Sequence, residues 1–225
     1  VVRPIRDNAL SLLFGGLFIV TLAAQSIAGW LQFNETQEQH GLPMESFGAF
    51  VTSSEFVVDV AENWQSEFLQ FFLFIAATIW LVQRGSPESK KPGDEGVGSD
   101  EEQLIGEHAQ PDSPEWARAR GIRQTLFSNS LLIVMGAVFA LSWFAQSLAG
   151  TVVMNSENAE HGQPSMSWLE YLSTPDFWSR TLQNWQSEFL AVGAMIALSM
   201  FLRQRGSAES KPVGAPHHVS SVESE

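Results

Sequence analysis

The chain has 225 residues, a formal net charge of −13, 44% hydrophobic residues and no cysteine. Its acidic balance argues against a nucleic-acid partner, and the lack of thiols excludes disulfides and thiolate chemistry. The length fits one or two domains.

The first predicted element is an apolar block over residues 9–31, preceded by Arg3 and Arg6. It has no polar face, and it matches the roughly 20 residues a helix needs to cross about 30 Å of hydrocarbon. Ser26-Ile27-Ala28 before Gly29 resembles a signal-peptide cleavage site. The same pattern returns as Gln146-Ser147-Leu148-Ala149-Gly150, so the block is expected to be retained. An acidic segment follows, with Glu35, Glu38, Glu45, Glu55 and Asp59, and then a second apolar block over residues 64–82. Residues 93–113 are low-complexity and acidic, a composition expected to stay disordered. A third block spans residues 130–154 and a fourth 185–202, separated by Glu157, Glu160, Glu170 and Asp176.

Basic residues fix an orientation. Arg84, Lys90 and Lys91 follow the second block, Arg118, Arg120 and Arg123 precede the third, and Arg203, Arg205 and Lys211 follow the fourth. Only Arg180 lies in a segment joining blocks one to two or three to four. By the positive-inside rule both termini and the central linker are cytoplasmic, and the acidic loops face out.

The two halves repeat. Adding 121 carries Asn34 to Asn155, His40-Gly41 to His161-Gly162, Phe56 to Phe177, and NWQSEFL at 63–69 to NWQSEFL at 184–190. The predicted organisation is repeat 1 over 1–91, an acidic linker over 92–120, repeat 2 over 121–212 and a disordered tail over 213–225. This makes an all-α membrane protein, with four transmembrane helices in two tandem parallel helical hairpins and amphipathic outer loops.

RDNALSLLFGGLF, the paired QS[IL]AG and NWQSEFL motifs and the terminal QRGS[PA]ESK resemble a family of small bacterial membrane proteins of unknown function. The resemblance covers nearly the whole chain. It implies a bacterial plasma (inner) membrane location and brings no activity, cofactor or catalytic residue.

The candidate site is a polar cluster at the outer membrane face: Gln25, Asn63, Ser66 and Glu67 in one half, and Gln146, Asn184, Ser187 and Glu188 in the other. Asn63 and Glu67 are four apart on one helix face, with Ser66 alongside. A carboxylate at that depth bonds a neighbouring helix, carries a proton or cation, or snorkels to the headgroups. Interhelical bonding is favoured, Glu67 with Gln25 and Glu188 with Gln146, because both sites lie near the interface rather than the midplane. Trp30, Trp64 and Trp185 read as interface anchors.

Other motifs are weaker. His40 and His161 could make a symmetric metal or haem pair, but without Cys or H-x-x-H spacing they read as turn residues. Gly85 and Gly206 read as helix C-caps, and the Ser-x-Glu-Ser-Lys beyond them as a solvated exit from the membrane. Ser167–Glu170 reads as a capping box, and Thr174-Pro175 as a cap with Pro at N1. Phe47, Phe50, Phe56, Trp168, Tyr171, Phe177 and Trp178 form the greasy side of the outer loops. Ala24, Ala28, Ala145 and Ala149, with Ala191, Gly193, Ala194 and Ala197, suggest close helix packing.

No phosphate loop or Ser/His/Asp set is present, so the chain is expected not to be an enzyme. No cofactor or metal is predicted. The expected role is a non-catalytic accessory component of a membrane assembly. Its partners are the lipid bilayer and a membrane protein or a second copy, with no nucleic acid; the rival role is a proton or cation pathway at Glu67 and Glu188.

Overall fold

The structure is a computed structural model that describes residues 4–220. In chain order its helices are α1 (Pro4–Asp7), α2 (Ala9–Gln39), α3 (Phe47–Phe50), α4 (Ser54–Trp80), α5 (Ile122–Ser128), α6 (Ser130–Glu160), α7 (Trp168–Tyr171) and α8 (Pro175–Ser199). A 3-10 turn lies at Gly106–His108, and there is no strand among the described residues. Arg3 and residues 221–225 lie outside the described residues.

Helices α2 and α6 have 31 residues each, about 46 Å at 1.5 Å per residue. Both are long and apolar enough to cross a membrane. They outrun the apolar blocks because the Glu- and Gln-containing turns that follow are good helix formers. Both stop in the same way. The Gly41 N–H donates to the Glu38 carbonyl at 3.0 Å and the Leu42 N–H to the Gln37 carbonyl at 2.8 Å. The Gly162 N–H donates to Ala159 at 3.1 Å and the Gln163 N–H to Asn158 at 2.7 Å. These are Schellman endings, and they need the left-handed backbone that Gly41 (φ 70) and Gly162 (φ 65) supply. His40 and His161 sit at the caps, ring Nδ1 at 2.9 and 2.8 Å from the carbonyls of Thr36 and Glu157. The His-Gly pairs therefore end helices.

Helices α4 and α8 differ from expectation. They end at Trp80 and Ser199, short of residues 82 and 202, and neither is apolar and long enough by itself to meet the spanning criterion that α2 and α6 meet. Below Glu67 the apolar stretch of α4, residues 68–80, covers only about 20 Å. Reaching about 30 Å requires the polar NWQSE turn as well. Gly85 and Gly206 are not helix C-caps, as the sequence suggested; with φ of 86 and 84 they sit in turns beyond the helix ends. A serine hydroxyl competes with the helix for the backbone there. The Gln83 N–H donates to Ser89 Oγ at 2.7 Å, and the Gln204 N–H to Ser210 Oγ at 2.9 Å.

Residues 93–113 form turns with local bonds, and one further bond ties them back to the end of α4. The Ser99 N–H donates to Glu102 Oε2 at 2.7 Å, the Glu102 N–H returns to Ser99 Oγ at 3.3 Å, and the Gly96 N–H donates to the Ile79 carbonyl at 2.7 Å. Such bonds satisfy the backbone without an apolar core.

The chain divides into two compact units, Val1–Val60 with Ala145–Tyr171, and Ala61–Phe144 with Leu172–Glu225. Each draws on both halves of the sequence.

Candidate functional site

In the second unit, NWQSEFL lies on α4 and again on α8. The buried stripe of α4 is Gln65, Ser66 and Leu69, with Glu62 half-buried beside it. On α8, Thr181 is buried and Asn184, Trp185 and Glu188 are half-buried. Both sets follow the i, i+3, i+4, i+7 spacing of one helix face.

The two faces are joined by polar bonds. Asn184 Nδ2 donates to Glu62 Oε1 at 2.8 Å, and Arg180 Nη1 lies 3.4 Å from Glu62 Oε2. Trp185 Nε1 donates to Gln65 Oε1 at 2.7 Å, and Trp143 Nε1 reaches Thr181 Oγ1 at 3.4 Å. Arg180 also bonds Asp176 at 3.3 Å. Burial opposes the Arg180 charge, but Asp176 and Glu62 outweigh it and hold the guanidinium above its ordinary range. Around this seam Trp143 stacks on Phe139 and Phe177, with centroids 5.6 and 6.0 Å away, and tilts against Trp185 at 5.6 Å. The rings flank the Trp143 and Trp185 bonds, whereas the Arg180 side chain stays 37% exposed.

The predicted cluster comes together only in part. Asn184 is in the seam. Ser66 and Ser187 bond their own helix, to the carbonyls of Asn63 at 3.0 Å and Asn184 at 2.8 Å. Asn63 and Glu67 are exposed, and Glu188 is half-buried. In the first unit Gln25 is exposed, while Gln146 is buried with no hydrogen-bond partner for Nε2 or Oε1 among the described residues.

Sequence reasoning missed Glu62, Gln65, Arg180 and Thr181. Matching identical residues drew attention to the repeats, whereas Glu62 faces Gln183 and Arg180 faces Asp59 at the 121-residue offset. The available signal was the Glu62, Gln65, Ser66, Leu69 spacing.

The first unit explains two other motifs. The Gly29 backbone lies against Phe50, where an added Cβ would come 3.1 Å from the ring, and that of Gly150 lies against Tyr171, at 2.4 Å from its Oη. Phe50 and Tyr171 are the aromatic ends of α3 and α7, and both are buried. The glycine of QS[IL]AG thus seats an outer-loop ring on a helix. The outer loops, expected to hold short amphipathic helices, carry one four-residue helix each. Asn34 clamps its loop by accepting from the Glu45 N–H at 2.8 Å and donating to the Glu45 carbonyl at 3.0 Å. Asn155 does the same to Met166 at 2.8 and 2.9 Å. Trp30 Nε1 donates to the Glu45 carbonyl, and Trp168 Nε1 to Ser147 Oγ. The Ser167–Glu170 box forms, with the Ser167 N–H 2.6 Å from the Glu170 carboxylate, which these bonds hold below its usual range. Thr174 caps α8 by accepting from the Phe177 N–H at 3.3 Å, with Pro175 following.

Of the small residues expected to pack closely, Ala149 is buried, but Gly193 has open space around it. Among the described residues no group of three or more His, Asp or Glu is placed to hold a metal ion.

A family model described as a domain of unknown function (DUF6766) matches residues 1–222. No curated protein and no solved structure matches the chain.

Proposed function

We propose that this chain, which belongs to the DUF6766 family of unknown function, is a four-span bacterial plasma-membrane protein acting as a non-catalytic accessory component of a membrane assembly. In this reading α2, α4, α6 and α8 all cross, as two tandem hairpins with the termini and linker on the cytoplasmic side. Exposed apolar side chains along α2 and α6, among them Leu13, Phe14, Ile19, Ile133 and Val134, favour a lipid surround. In α4 and α8 the NWQSE turns sit at the outer interface, with the exposed Trp64 as an anchor and Trp185 turned into the seam.

The observation that carries the accessory role is the use made of the polar groups. Glu62, Gln65, Arg180, Asn184 and Trp185 bond one another and so hold helices together. An ion pathway would need polar groups through the whole span. Below Glu67 only Gln70 and Thr78 interrupt the apolar run of α4, and Thr78 bonds its own helix at the Ile75 carbonyl.

The test is reconstitution in liposomes with Glu67→Gln and Glu188→Gln. No proton or cation flux is expected from the wild type. Both variants should be about as stable as wild type, because the amide keeps an acceptor and nearly the same volume. Wild-type flux that disappears in the variants at unchanged stability would replace the accessory role with a pathway. Native mass measurement in mild detergent should give a particle larger than one chain.

A further inference from the structure

Beyond α4 and α8 lie two loops of matched sequence, residues 83–90 and 204–211, with matching internal bonds. Besides the Gln-to-Ser bond described above, the Ser86 N–H donates to the Gln83 carbonyl at 3.1 Å and the Ser207 N–H to that of Gln204 at 3.2 Å. The Glu88 and Glu209 N–H groups donate to the hydroxyls of Ser86 and Ser207, both at 3.1 Å. Gly85 and Gly206 take the same left-handed backbone, with φ of 86 and 84. One loop conformation therefore occurs twice.

The surroundings of the two loops differ. In the first, the Gly85 carbonyl accepts from Lys211 Nζ at 2.5 Å, and a Cβ added at Gly85 would collide with the His217 carbonyl. The C-terminal segment thus covers this loop and sets a primary ammonium on its glycine carbonyl. In the second, nothing lies within 4 Å of where a Gly206 Cβ would stand, and the Gly206 carbonyl accepts no bond among the described residues. Gly206 instead lines a cleft of about 540 Å³ with Arg205, Ser207, Ser210, Pro212 and Val213. Arg205 is exposed and has no hydrogen bond or ion pair among the described residues. Lys211 borders the cleft too, but it is 1% exposed, its ammonium held by the carbonyls of Gly85, Pro216, His217 and Val219.

We propose that the second loop is a lipid site that takes a phosphoethanolamine headgroup, its ammonium donating to the Gly206 carbonyl and its phosphate meeting Arg205. The site rests on the four-span reading, which puts the end of α8 at the cytoplasmic headgroups. Phe201 and Leu202, both apolar and exposed, then mark the edge of the hydrocarbon, and Arg203 and Arg205 follow at headgroup level.

Each part of the headgroup has its counterpart. The first loop shows that this backbone accepts a primary ammonium, because Lys211 supplies one to Gly85. An ammonium has N–H groups to donate and a backbone carbonyl has lone pairs to receive them. A guanidinium binds phosphate through paired N–H donors, and Arg205 is free to do so, whereas Arg203 is held by the carbonyls of Ser199, Met200, Leu202 and Ala215. Pro212 and the exposed Val213 give the cleft an apolar side against which the glycerol and upper acyl carbons lie.

The test is a titration of the full-length protein in mild detergent with dioleoyl phosphatidylethanolamine, phosphatidylcholine or phosphatidylglycerol, read by native mass spectrometry. Phosphatidylcholine keeps the phosphate but has no N–H to donate, and phosphatidylglycerol has no ammonium. One phosphatidylethanolamine per chain should be held about tenfold more tightly than either, the effect of one charge-assisted hydrogen bond. Soluble phosphoethanolamine, with no acyl chain to lie along Val213, should bind more weakly than the lipid. Arg205→Gln should weaken phosphatidylethanolamine retention about tenfold, and Arg84→Gln, in the covered loop, should leave it unchanged. Equal retention of the three lipids, tighter binding of the soluble headgroup, or equal losses in the two variants would overturn the site. The titration needs no bilayer, so it succeeds or fails independently of which helices cross.

Discussion

Tyr171→Ala is expected to cost about 3–5 kcal/mol of stability, the range for removing a buried aromatic side chain. Tyr171 is 1% exposed and fixes the second outer loop onto α6 at Gly150. The glycine side of this contact should be sensitive too. In Gly150→Ala the new methyl would lie 2.4 Å from Tyr171 Oη, and the buried ring has no space to retreat, an overpacking cost of about 1–3 kcal/mol. Tyr171→Phe should lose only about 1 kcal/mol for the hydroxyl, because Phe50 fills the matching place over Gly29. Gly15→Ala, with nothing within 4 Å, is the silent control. Denaturant or thermal unfolding in detergent reads all four. Wild-type stability in Tyr171→Ala would mean that the ring does not anchor the loop.

The second large effect is expected at Glu62. In Glu62→Ala, Arg180 keeps only Asp176, and Asn184 Nδ2 keeps only the Arg180 carbonyl on its own helix. Breaking a fully buried ion pair costs about 3–5 kcal/mol; the Arg180 side chain is 37% exposed, so solvent screening reduces the expected loss to about 2 kcal/mol. Glu62→Gln keeps an acceptor for Asn184 and should lose roughly half of that. A double-mutant cycle with Arg180→Gln should give a positive coupling energy. Full additivity between Glu62→Ala and Arg180→Gln would show that the seam is not held by this pair.

What could be read in the sequence was what local chemistry decides. The apolar blocks gave α2 and α6, because a helix apolar on every face leaves no competing period. Ser167–Glu170, Thr174-Pro175 and the His-Gly endings were legible because caps and left-handed turns need particular residues at fixed offsets. The C-terminal limits of α4 and α8 were not. They depend on hydroxyls of Ser89 and Ser210 reaching back to the backbone of Gln83 and Gln204. The inward face of α4 was also hidden, since NWQSEFL is polar on several sides and the motif alone does not show that Gln65 rather than Glu67 turns in. Gly29 and Gly150 stood out only as the ends of the repeated QS[IL]AG motif, since the rings they seat stand 21 positions further along the chain. The Glu62–Arg180 pair joins residues that differ between the halves, so repeat matching passed over it.

The central claim is that α4 and α8 cross the membrane along with α2 and α6, and a single accessibility measurement decides it. Cysteines introduced singly at Asp112 and Ser165, in a chain with none of its own, are labelled in intact cells with a membrane-impermeant maleimide. With four crossings, Ser165→Cys labels from outside and Asp112→Cys labels only after permeabilisation. If α2 and α6 alone crossed, with the N-terminus still inside, the two positions would exchange sides. Asp112→Cys would then react in intact cells and Ser165→Cys would be protected, the result that would contradict the four-span account.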